Sequence, residues 1–160
     1  TQHPEVKLVI APHVIDENHL VEIIRKLKRP YVRYTRADEK NVRKADCLII
    51  DCFGLLSSIY RYGEIAYIGG GFGVGIHNTL EAAVYGIPVI FGPKYQKFQE
   101  AIQLLEAKGA FSVKDYEELK TLLDRMLTDE VFLRESGMNA SNYVTGNAGA
   151  TDKIMSMINF

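Results

Sequence analysis

EIAYIGGGFGVGIHNTLEAAVYGIPVIFGP, running from Glu64 to Pro93, is the stretch whose reading decides the fold. A short apolar strand (Ile65 to Ile68) leads into five glycines between Gly69 and Gly75. An amphipathic helix and a second apolar strand, Ile87 to Phe91, follow. A loop so poor in side chains lets backbone N–H groups come close to a ligand. The first turn of the next helix carries unpaired N–H donors and the positive end of its dipole. Strand, loop and helix start together predict a cradle for an anion, most often a phosphate.

The flanks repeat the alternation. Val6 to Ala11 (VKLVIA) is a nearly continuous apolar run, the pattern of a parallel strand covered on both faces. Asp16 and Glu17 open a helix whose apolar positions Leu20, Ile23, Ile24 and Leu27 recur at helical spacing, and Pro30 stops it. Tyr31 to Tyr34 reads as a second strand, Arg36 to Ala45 as a polar connector with a helical turn, and Cys47 to Asp51 as a third strand. Leu55 to Tyr62 and Phe98 to Lys108 are expected helices, with Gly109 placed as the C-cap of the latter. Ala110 to Val113 is a sixth strand, and from Asp115 the chain is helical, with breaks expected near Asp129, Gly137 and Gly146. The pattern predicts an α/β fold: a Rossmann-like parallel sheet of about six strands with helices on both faces. Ligands of such sheets sit at the carboxyl ends of the strands. Three of those ends are chemically distinctive: Pro12-His13, Phe53-Gly54 and the glycine loop.

The 160 residues suit a single domain, 1–160, with 47% hydrophobic and 24% charged residues, a globular composition. A net charge of −1 argues against a nucleic-acid binder, whose domain is usually strongly basic. Cys47 and Cys52 match no zinc or redox spacing and suggest a reducing compartment. No apolar run approaches the roughly 20 residues of a membrane span, and no signal peptide is legible. The chain starts at Thr1 and enters a strand almost at once, so an excised domain with a missing preceding partner is expected.

Two familiar phosphate fingerprints fail. G-x-G-x-x-G fits at no offset in Gly69 to Gly75, and no acid ends the next strand to hold a ribose. Gly70 and Gly75 have Walker-A spacing, but Ile76-His77 stand where Lys-Ser/Thr is required. Glu81 admits two readings. It can accept hydrogen bonds from ribose hydroxyls, or Asn78-Thr79-Leu80-Glu81 can be a capping-box variant with Asn78 at N-cap and Glu81 at N3. His77 can meet a phosphate or simply close a turn. His13, Asp16, Glu17 and His19 are metal ligands by type, but no second His or Cys cluster supports a metal site, and Asp16 and Glu17 suit a helix start. The basic residues from Arg25 to Lys44 can attract an anionic surface or form a solvated face. Tyr60 and Tyr62 read as packing residues, and Lys97 can reach an anion at the loop or begin the next helix. No nucleophile arrangement stands out.

Gly69 to Glu81 (GGGFGVGIHNTLE), Ile87 to Pro93 (IPVIFGP), Asp51 to Leu55 (DCFGL) and Ile10 to His13 (IAPH) occur in the order seen in the 3-deoxy-D-manno-octulosonic acid (Kdo) transferases of lipopolysaccharide synthesis. The chain resembles the C-terminal, donor-binding half of these two-domain glycosyltransferases of GT-B architecture from Val6 to about Gly109, most specifically in HN-x-LE-x-A. The resemblance implies transfer of Kdo from CMP-Kdo to a lipid A precursor, without a metal ion or other cofactor. It implies that Pro12, His13, Phe53, Gly54, Leu55, Gly70, Gly71, Asn78, Thr79, Leu80 and Glu81 surround the nucleotide, with Glu81 on the ribose. The catalytic base would belong to an N-terminal acceptor half absent from this chain, so no catalytic residue is expected here. The half domain would bind donor but be inactive alone. The full-length protein would work at the cytoplasmic side of the inner membrane, with this domain soluble. The family commonly shows A-P-R-H-x-E after its first strand, and His13 matches either the arginine or the histidine of that motif. Where many members have Met-Gly-Glu, this chain has Phe53-Gly54-Leu55. The competing expectations are a GT-B transferase using a UDP-sugar and a stand-alone nucleotide-binding module.

Overall fold

In the computed structural model, residues 3–73, 75–149 and 155–157 are described. The chain divides into two compact units, Thr1–Ser58 and Ile59–Phe160. All six expected strands form and all pair in parallel, but in two sheets of three rather than one of six.

In the first unit, β1 (Leu8–Ile10), β2 (Tyr31–Arg33) and β3 (Cys47–Ile49) pair in the order β1-β3-β2. Helix α1 (Glu17–Lys26) lays Leu20 onto Cys47 and Ile49, with Ile10, Ile15, Ile23, Ile24 and Leu27 around them. Asp16 caps α1, its carboxylate accepting from the His19 N–H at 3.0 Å. The polar connector contains a 3₁₀ turn, Tyr34–Arg36, and a short α2 (Glu39–Val42) closed by an Asp38/Asn41 capping box. The expectation that β1 is covered on both faces fails. It is an edge strand, and Leu8 and Val9 remain 40% and 47% exposed.

Helix α3 (Leu56–Ile59) is only one turn and passes into a 3₁₀ turn, Tyr60–Tyr62, so the expected helix over Leu55 to Tyr62 tightens midway. In the second unit, β4 (Ala66–Tyr67), β5 (Val89–Phe91) and β6 (Ala110–Ser112) pair in that order. Strand β5 explains its apolar sequence. Val89 and Phe91 enter one core, Ile90 enters another, and all three are 0% exposed. Burial of each contributes roughly 1.5–3 kcal/mol. The first core is roofed by α4 (Leu80–Ala83), α5 (Gln99–Glu106) and the later turns of α7 (Glu130–Asn147). The opposite core is closed by α6 (Tyr116–Thr128) and the first turns of α7.

Two glycines act differently from the sequence expectation. Lys108, not Gly109, takes the left-handed position after α5, with φ +59°. The N–H groups of Lys108 and Gly109 close on the carbonyls of Leu105 (3.0 Å) and Leu104 (2.9 Å), a Schellman ending. Gly109 is needed because a Cβ there would lie 2.6 Å from the Ala140 backbone on α7. Gly137 lies inside α7 without breaking it, whereas the break at Asp129 forms as expected and α7 ends at Asn147, one residue past Gly146. At Gly137, a side chain would collide with the Gly86 carbonyl, so the residue buys close approach rather than a bend.

Candidate functional site

The glycine loop sits at the carboxyl end of β4. An antiparallel bridge between Gly70 and Ile76 pinches it shut, with the Gly71 N–H donating to Gly75 O and the His77 N–H to Gly69 O, each at 3.3 Å. Gly70 and Gly71 both hold positive φ, +94° and +81°. A Cβ at Gly71 would stand 2.8 Å from the main chain of Gly92, and one at Gly75 would stand 2.5 Å from the Phe98 ring. Close packing against the residues after β5 therefore accounts for much of the run. Lys94 fastens the loop twice: its N–H donates to Gly71 O at 2.9 Å and its Nζ to Gly73 O at 3.2 Å. Beside the loop lies a cavity of about 420 Å³ lined by Gly73, Gly75, Lys94, Gln96, Lys97 and Phe98.

The capping-box reading needs correction. Thr79, not Asn78, occupies the N-cap of α4, and its side chain makes no cap bond. Asn78 Oδ1 accepts from the Leu80 N–H at 3.0 Å, a local turn bond two residues on. Asn78 Nδ2 donates to Glu81 Oε1 at 3.0 Å, so the link runs side chain to side chain and misses the backbone. Thr79 is 1% exposed, and its Oγ1 has no hydrogen-bond partner among the described residues. Leu80 packs half-buried on the first core, and Glu81 is half-buried above it. Tyr60 reports the Glu81 charge: its phenol is pushed above the ordinary range, first by burial and then by that carboxylate. Tyr60 packs against the core as expected of it, and its position beside Glu81 was not legible in the sequence. With four residues, α4 supplies little of the dipole expected from a longer helix.

The remaining site residues expected from sequence belong to the first unit. Ile10 and Ile49 are register partners, and the Ile50 N–H donates to Ile10 O at 2.8 Å. The segments leaving β1 and β3, which carry Pro12-His13 and Phe53-Gly54-Leu55, therefore start side by side. His13 is exposed, Phe53 is 82% exposed, Gly54 has φ +86°, and Pro12 and Leu55 are half-buried.

Beneath these segments is a charged network that sequence reasoning missed. Asp51, its side chain fully buried, accepts from Arg33 Nε (2.8 Å), Thr35 Oγ1 (2.6 Å) and the Thr35 N–H (2.9 Å). Arg33 Nη1 also donates to both oxygens of Glu17, at 2.8 and 2.9 Å. Burial alone would raise the Asp51 pKa, but the Thr35 and Arg33 bonds outweigh it and hold the carboxyl at about 2. Asp16 as cap and Glu17 as ion-pair partner account for two of the residues weighed as metal ligands, and no group of three or more such side chains able to hold a metal occurs among the described residues. Arg33 ends β2 and Asp51 lies two residues past β3, so the pairing of those two strands is what brings them together.

A wider open groove of about 790 Å³ follows β6 and the start of α6, but none of its walls come from the glycine loop or from Asn78 to Glu81. Its charges have both signs, with Lys114 paired to Glu118.

No protein-family model matches the chain. It is 36% identical over 128 residues to a 3-deoxy-D-manno-octulosonic acid transferase of Aquifex aeolicus, covering 79% of this chain and 35% of that protein. A protein of the same name from Rickettsia bellii is 32% identical over 116 residues, covering 71% of this chain and 28% of the relative. The chain thus spans about a third of the length of these curated relatives. Among solved structures, the C-terminal CMP-Kdo binding domain of WaaA from Acinetobacter baumannii shares the fold, with a TM-score of 0.76 at 17% identity, over 89% of this chain and 76% of that one. The α/β class read from the sequence therefore holds, as does the resemblance to Kdo transferases.

Proposed function

From its homology to Kdo transferases, we propose that this chain is the donor-binding part of a GT-B glycosyltransferase that moves Kdo from CMP-Kdo to a lipid A precursor. The observation that carries the reading is a conjunction. The sequence relatives are named Kdo transferases, and the shared fold is that of a CMP-Kdo binding domain. Complete transfer then needs the acceptor half, which supplies the catalytic base, and the work is done at the cytoplasmic face of the inner membrane.

The roles of the residues follow from their chemistry. Asn78 engages only Oε1 of Glu81, and a carboxylate has a second oxygen able to accept from ribose hydroxyls. The Asn78 bond fixes the carboxylate's rotamer before any ligand arrives, which lowers the cost of binding. The glycine loop takes the phosphate, and its main-chain amides other than that of Gly71, which already donates to Gly75 O, stabilise the negative charge that develops as CMP departs. By the family resemblance, Pro12, His13 and Phe53 to Leu55 of the first unit carry further contacts to the nucleotide.

A CMP titration followed by NMR tests the reading. Shifts should cluster at Gly54, the loop and Glu81. Glu81→Gln keeps an acceptor for Asn78 but loses the charge, so CMP binding should weaken about tenfold with the unfolding midpoint unchanged. Tight UMP binding with no CMP response would instead select a UDP-sugar transferase.

A further inference from the structure

We infer that the cavity between the glycine loop and Lys97 is the subsite for the donor sugar's carboxylate, with Lys97 as the contacting cation. The inference rests on the donor reading above and adds to it a residue and a ligand group. The walls carry two ammonium groups, one amide and one aromatic ring, and no acid. Such a lining favours an anion and disfavours a neutral sugar. An octulosonic acid has its carboxyl group on the anomeric carbon, the atom that also bears the phosphate oxygen in a CMP conjugate. Carboxylate carbon and phosphorus are then only three bonds apart. A protein that grips the phosphate on the loop must therefore meet a second negative charge next to it, and this cavity opens there.

The two lysines divide the work. Lys94 is spent on the loop, since its N–H and Nζ hold Gly71 O and Gly73 O. It positions the amides and adds background charge. Lys97 lies on the same wall, exposed, on the short segment between β5 and α5. The Phe98 ring, pressed on Gly75, closes the floor and gives the apolar face of the sugar a surface. Gln96 is turned back, its Nε2 donating to Pro93 O at 2.9 Å, which leaves its carbonyl end for sugar hydroxyls.

The test is calorimetric titration of the chain with CMP, with CMP-Kdo, and with the CMP-Kdo analogue whose carboxylate is a carboxamide. Wild type should bind CMP-Kdo more tightly than the carboxamide. Lys97→Gln should weaken CMP-Kdo about tenfold, leave CMP within about twofold, and erase the preference for the acid. Lys94→Gln, which frees the loop, should weaken all three ligands together. Equal loss of CMP and CMP-Kdo in Lys97→Gln would make Lys97 a phosphate ligand and overturn the assignment, as would no loss of either. Absence of CMP binding by wild type would instead bring down the donor reading itself, and this inference with it. Circular dichroism of each variant separates these outcomes from misfolding.

Discussion

The two units secure the carboxyl ends of their sheets by opposite means. In the first, Asp51 is locked by Arg33 and Thr35, and Arg33 in turn by Glu17, so charge and hydrogen bonds hold the segments after β2 and β3. In the second, glycines are packed with no room for a Cβ: Gly71 against the Gly92 main chain, and Gly75 against the Phe98 ring. The first device tolerates changes of shape and fails with pH. The second is indifferent to pH and tolerates no added atom.

The largest effect should come from breaking the packed device. Gly71→Val places a Cβ 2.8 Å from the Gly92 backbone and forces a branched residue to φ +81°, so the second unit should lose about 3 kcal/mol or more in chemical denaturation. Neither clash can be relieved by turning a side chain. Next comes Asp51→Asn, which leaves Arg33 with half its partners in a buried site and should cost about 2–3 kcal/mol.

The pH dependence separates the devices further. Asp51 titrates at about 2 when folded, below the ordinary carboxylate value of 3.8. A lowered folded pKa stabilises fully above the unfolded value and loses that contribution as pH falls toward the folded one. Wild type should therefore lose about 2 kcal/mol from this group between about pH 4 and pH 2, a loss absent in Asp51→Asn, read by unfolding midpoints across that range. The smallest effect sharpens the contrast within the loop. At Gly73 a Cβ meets nothing within 4 Å, so Gly73→Ala should move stability by no more than about 0.5 kcal/mol. A cost like that of Gly71→Val would mean the loop is tight throughout.

What the sequence disclosed follows the range of the interactions involved. Strand β5 was legible because both faces of a buried parallel strand demand apolar residues, and Val89, Ile90 and Phe91 supply them without interruption. The glycine run was legible as a place where the main chain comes close to its surroundings, and Gly71 on Gly92 and Gly75 on Phe98 show such close approach. The local bonds that follow it were not legible. Asn78 had two local bonds within reach, to the Leu80 N–H or to a later amide, and spacing alone favours neither. Gly109 was placed as the cap since glycine best accepts φ above zero, but the tertiary contact with Ala140 claimed it and left Lys108 the strained position. Arg33 and Asp51 meet only through the parallel register that sets Arg33 beside Ile49, a fact of topology that no window of sequence contains. The division of six strands into two sheets is likewise a property of pairing, and the alternation of strand and helix is silent on it.

Helix α7 has one more consequence. Phe132 and Leu133 near its start close one side of β5, and Ala140, Tyr143 and Val144 further on close the other. A nascent chain emerging from the ribosome therefore holds all three strands of this sheet with neither side finished until α7 has been made. Synthesis stalled before Glu130 would leave apolar surface on both sides of that strand open to chaperones, and the second unit would fold as a late, all-at-once event rather than strand by strand.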